Sequence, residues 1–92
     1  MIRSFSHRGL KRYYENDDPR YLPPVLIKRI GNILGLIDAA DTLEGLNLPG
    51  LRLHKLTGNL KGYYSVSVAG NWRIIFTFED GEFHNLELID YH

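Results

Sequence analysis

The side chains best placed for acid–base chemistry sit in two places, at His54 before a basic loop and in the tail Asp90-Tyr91-His92. Imidazole is the side chain whose ordinary pKa lies nearest neutrality, which suits a histidine to give or take a proton at physiological pH. Asp90 could orient an imidazole, Tyr91 could stack on a base, and Arg73 could balance charge developing on a phosphorane. Together these are the parts needed to cleave RNA without a metal. A base removes the 2'-hydroxyl proton, a cation stabilises the pentacoordinate phosphate, and an acid protonates the departing 5'-oxygen. The bland alternative is that a strand histidine is structural or solvated, and His7 and His84 read that way, as a helix-start residue and a strand residue.

Other chemistry is poorly represented. No group of His, Asp and Glu has a metal-ligand spacing, and no Gly-rich phosphate loop precedes a helix, so neither a metal nor a cofactor is expected. Net charge is zero, with 11 basic and 11 acidic residues, yet no Asp or Glu occurs from Gly45 to Phe78. Arg52, Lys55, Lys61 and Arg73 all fall in that stretch, which makes a locally positive surface able to receive a phosphodiester. Arg52, Lys55, Lys61 and Tyr63 are therefore the candidate RNA contacts. The same cations would also serve merely to solvate the outer face of a sheet.

Positioning these groups falls to a small set of elements. Ile2-Arg3-Ser4-Phe5 alternates apolar and polar and reads as an edge strand. Ser6 can cap a helix over His7 to Glu15, in which Leu10, Tyr13 and Tyr14 share a face. Asn16-Asp17-Asp18-Pro19 ends it. Pro23 and Pro24 then open a longer amphipathic helix with Val25, Leu26, Ile30, Ile33, Leu34 and Ile37 on one stripe. Gly31 and Gly35 within it are expected to permit close approach of a neighbour.

After a loop from Asp41 to Gly50, Leu51-Arg52-Leu53-His54 alternates again, with both leucines inward and Arg52 and His54 outward. Tyr64, Val66 and Val68 line one face of the next strand, with Tyr63, Ser65 and Ser67 on the other. Ala69-Gly70-Asn71 closes a hairpin. Trp72, Ile74, Phe76 and Phe78 face the helices, and Arg73, Ile75 and Thr77 face away. A last strand runs from Phe83 to Ile89. The expected fold is α+β: a small antiparallel sheet in the order β-α-α-β-β-β, with two N-terminal helices packed on one face.

Ninety-two residues make one domain, 1–92, too short for a deep cavity beside a core, so any site should be a shallow groove on the sheet. The absence of Cys fits a reducing compartment. No apolar run reaches the ~18 residues of a membrane span, and MIRSFSHRGLKRYY lacks a signal-peptide block. A cytoplasmic protein with no membrane partner is expected.

The opening IRSF, the segment LHKLTGNLKGYYSVSV, the run GNWRIIFTF and the ending LIDYH together resemble the HigB branch of the RelE-type toxins, the killer proteins of bacterial toxin–antitoxin pairs. The resemblance spans nearly the whole chain and is most specific in the Leu-His before the basic loop, the Asn-Trp-Arg-Ile and the closing Asp-Tyr-His. It implies a RelE-like fold and a ribosome-dependent endoribonuclease that cuts messenger RNA in the decoding site. It also implies a helix-turn-helix, HigA-like antitoxin as partner. Residue by residue it implies a catalytic cluster of His54, Asp90, Tyr91 and His92, with Arg73 supporting the scissile phosphate. Where some relatives carry a lysine this chain has Thr57, so phosphate contacts would fall to Lys55 or Lys61. Other readings are a gyrase-poisoning toxin, which would not need this residue set, and a noncatalytic or degenerate RNA- or antitoxin-binding module of the same fold.

Overall fold

In the computed structural model, which describes residues 1–91, helix α1 (Arg8–Asn16) starts at His7. The His7 Nδ1 accepts a hydrogen bond from the Leu10 N–H at 3.1 Å, so the imidazole, rather than the expected Ser6, supplies the cap. The helix stops as anticipated in the acidic run. Asp17 takes the left-handed conformation, φ 55°, and its N–H closes on the Arg12 and Tyr13 carbonyls.

Pro24 opens a single 3-10 turn, Pro24–Leu26, that leads into α2 (Ile27–Ala39). Leu26, Ile30, Ile33, Leu34 and Ile37 are buried as the stripe requires. Val25 is not: it sits in the 3-10 turn, off the 3.6-residue period, and is 90% exposed. The two helix glycines also part company. A Cβ on Gly31 would lie 2.7 Å from the Tyr13 hydroxyl, so Gly31 does allow α1 to approach, whereas a Cβ on Gly35 would meet nothing within 4 Å.

The sheet has four antiparallel strands in sequence order: β1 (His54–Lys55), β2 (Tyr64–Ala69), β3 (Trp72–Glu79) and β4 (Glu82–Asp90). The opening residues add an incomplete parallel edge to β4, through bridges from Ile2 to Phe83 and from Phe5 to Leu86. Val66, Val68, Ile74, Phe76, Leu86 and Leu88 pack in one core with the buried residues of both helices, so the helices cover one face of the sheet. Phe83 joins them edge-on to Phe76, with ring centroids 5.2 Å apart.

The alternation expected over Leu51 to His54 is interrupted. Arg52 takes φ 50°, and the strand proper begins only at His54. Leu51 is nonetheless buried and Leu53 packs on the core, so the inward direction of both leucines holds.

Candidate active site

The face of the sheet opposite the helices carries its own small buried patch. Leu56, Ser65 and Ile75 are buried yet stand outside the main core. In register, His54 pairs with Ser65 and Ser65 pairs with Ile75, so the three form one row across β1, β2 and β3. Side chains directly opposite in an antiparallel sheet share a face. His54 thus stands on the open face at the edge of that row.

Arg73 belongs to the next row, paired with Ser67 on one side and Ile89 on the other. It reaches diagonally back, its Nη1 donating to the Ser65 Oγ at 3.1 Å. Diagonal neighbours lie about 7–8 Å apart at the backbone, a span a guanidinium crosses easily. The Arg73 Nε is buried and has no hydrogen-bond partner. On its other side the guanidinium lies against Tyr91, with Cζ 5.6 Å from the ring centroid. Tyr91 is in turn held by its main chain, whose N–H donates to the Asn71 carbonyl at 2.7 Å. The β2–β3 turn and the end of β4 are thereby tied together beside Arg73.

At the other end of the site, His54 is exposed and its Nδ1 lies 3.3 Å from the Arg52 carbonyl. A carbonyl oxygen can only accept, so Nδ1 is the donor. The neutral ring then carries its lone pair on Nε2. This is the form of imidazole that can take a proton from a substrate hydroxyl. The left-handed backbone at Arg52, which breaks the strand alternation, also lets its carbonyl serve His54.

Of the residues singled out from sequence, the structure therefore joins Arg73 to Tyr91 directly, and puts His54 on the same face one strand pair away. Asp90 is the last residue of β4, exposed, and paired with Trp72 rather than with Arg73. His92 lies outside the described residues. Arg52, Lys55 and Lys61 are exposed around the β1–β2 loop and Tyr63 is half-buried there. Ser65 is the residue sequence reasoning missed. A serine alternating along a strand carries no signal of its own until the register sets it between His54 and Arg73.

Among the described residues no three of His, Asp and Glu converge as a metal would require. A groove of about 260 Å³ lies between the helices instead, lined by Tyr13, Tyr14, Asp17, Gly31, Leu34, Gly35 and Asp38. It contains none of the candidate catalytic or RNA-binding residues.

Comparison with known proteins decides the lineage. Residues 3–92 match the family described as HigB-like toxin, the RelE-like toxin of type II toxin–antitoxin system HigB. The chain belongs to that HigB-like family. Among its relatives, the endoribonuclease HigB of Proteus vulgaris is 40% identical over 92 residues, spanning all of both chains. Toxin HigB-1 of Vibrio cholerae is 35% identical over 83 residues, covering 88% of this chain and 87% of that protein. In fold, the HigB-like chain is similar to a chain of the heterotetrameric YoeB–YefM toxin–antitoxin complex of Staphylococcus aureus, with TM-score 0.60 and 25% identity over 100% of this chain and 98% of that one. The RelE-like α+β architecture expected from sequence is the one observed. As a toxin of a type II system the HigB-like chain has an antitoxin for partner. No helix of the described residues is long and apolar enough to cross a membrane.

Proposed function

We propose that this HigB-like toxin is an endoribonuclease that cuts messenger RNA in the decoding site of a translating ribosome. The observation that carries the reading is the placement of His54 and Arg73 on one open face of the sheet, with the His54 Nδ1 turned to the Arg52 carbonyl. The full-length relative named as an endoribonuclease supports the reaction class.

In this mechanism His54 Nε2 takes the proton of a 2'-hydroxyl, and the 2'-oxygen attacks the adjacent phosphorus. Arg73 offsets the charge that accumulates on the phosphorane. The bond from phosphorus to the 5'-oxygen breaks, and that oxygen receives a proton from the tail, where His92 is the proposed acid and Asp90 its orienting carboxylate. Tyr91 holds the guanidinium and borders the bound base. The products are a 2',3'-cyclic phosphate and a 5'-hydroxyl. Arg52, Lys55, Lys61 and Tyr63 flank the site and take the RNA backbone. The neutralising partner is a HigA-like antitoxin with a helix-turn-helix, and the compartment is the cytoplasm, where ribosomes are.

The test incubates the purified toxin with a messenger in two forms, bound to programmed ribosomes and free in solution. Cleavage of the ribosome-bound message with 5'-hydroxyl ends is expected. Equal cutting of free RNA overturns the ribosome requirement, and 5'-phosphate ends overturn attack by the 2'-hydroxyl.

A further inference from the structure

The fully buried polar side chain on the site face is Ser65, 0% exposed and outside the main core. It lies under the site, and neither a helix cap nor a turn requires it. Its Oγ accepts from the Arg73 Nη1, while the Arg73 Nε on the same guanidinium is buried with no partner. In a half-buried guanidinium whose Nε is already without a partner, the bond from Nη1 to Ser65 is the side-chain contact that fixes the group, because an unmet buried donor is costly.

Ser65 is also fixed by its neighbours. The backbone places it opposite His54 on one side and Ile75 on the other. A hydroxyl there has a defined position relative to the imidazole and relative to the guanidinium. A Tyr91 ring covers the guanidinium, so a hydrogen bond to Nη1 settles the rotation that the ring contact leaves open.

We propose that Ser65 is a positioning residue for the cleavage reaction: it sets the orientation of Arg73 relative to His54, and acts on the phosphate only through that guanidinium. This rests on the reading of Arg73 given above. It predicts that removing the hydroxyl slows the chemical step and leaves binding of the ribosome unchanged.

The experiment is a double-mutant cycle on the intact toxin, read by single-turnover cleavage of ribosome-bound message. Ser65→Ala is expected to lower the maximal rate by about 10-fold or more, the scale of a hydrogen bond to a charged group. The half-saturating ribosome concentration should stay near that of the parent protein, while the thermal midpoint should fall because Nη1 loses its acceptor. Ser65→Cys keeps a side chain of the same branching but offers only a weak acceptor, so it should fall with Ser65→Ala rather than with the parent. In an Arg73→Ala background, Ser65→Ala should have no further effect. An equal rate loss in both backgrounds overturns the proposal, since the hydroxyl would then act on packing. So does an unchanged rate for Ser65→Ala when Arg73→Ala is impaired. Full activity of Arg73→Ala overturns the underlying reading of Arg73, and is told apart because it needs no Ser65 variant.

Discussion

The Tyr91 ring lies over the guanidinium of Arg73, 5.6 Å from centroid to Cζ, although 17 residues lie between the two in sequence, and Tyr91 is held by its own backbone. The Tyr91 N–H bonds the Asn71 carbonyl, and the contact with Arg73 is made by the aromatic ring. Tyr91→Phe should therefore keep cleavage near the parent rate. Tyr91→Ala should lower it by about 2- to 30-fold, the range of a cation–π contact of about 0.5–2 kcal/mol. Single-turnover rates on ribosome-bound message check both.

Arg73 and the loop lysines should fail differently. Arg73→Ala should lose about 2–4 kcal/mol of transition-state stabilisation, seen in the maximal rate. The pair Lys55→Ala and Lys61→Ala, both exposed, should weaken ribosome association and flatten its dependence on salt while sparing the rate at saturation. Binding measured across a salt series, with an unchanged slope for the lysine pair, would leave those cations as solvated surface.

The two glycines of α2 give opposite signs in stability. Gly35→Ala adds a methyl into open space and gains helix propensity, so it should stabilise by up to about 1 kcal/mol. Gly31→Ala drives a methyl to 2.7 Å from the Tyr13 hydroxyl. It should destabilise by about 1 kcal/mol or more, as overpacking outweighs propensity. Urea midpoints of the two variants, falling on the same side of the parent, would contradict this.

Acid should weaken the turn that follows α1. Asp18 is held well below the usual carboxylate range by hydrogen bonds from Arg20 and then from Arg12. A carboxyl whose folded pKa is depressed adds stability above its unfolded pKa of about 3.9, and that stability is lost as pH falls toward the folded value. Thermal midpoints taken from pH 6 downward should fall below about pH 4. Asp18→Asn should remove part of that decline, and an unaltered acid limb would show that the Arg12–Asp18–Arg20 cluster does not couple to unfolding.

How much of this was written in the chain varies with the kind of signal. The apolar stripe of α2 and the two hydrophobic faces of β2 and β3 follow directly from period, because burial repeats with the backbone. Val25 and the break at Arg52 do not, since each depends on a local backbone conformation, a 3-10 turn and a positive φ, that propensity does not announce. Placing His7 as the cap needed the position of its Nδ1 relative to the Leu10 N–H. In the site, Arg73 was legible as outward-facing, and His54 as lying on the same side. What sequence could not supply was the register that puts Ser65 between them, because a shift of one residue in pairing sends every side chain to the other face.

The bridges that join the first residues to the last strand have a consequence for when the site exists. Ile2 and Phe5 lie along Phe83 and Leu86, and the segment that bears Tyr91 follows them in synthesis order. A growing polypeptide can fold its helices early, yet β4 is the strand against which both the opening residues and Arg73 must close. Until that strand has left the exit tunnel, Arg73 has no ring above it and the opening residues have no edge to lie on. The Arg73–Tyr91 pair is thus a late product of folding, formed only once the last strand has closed on β3.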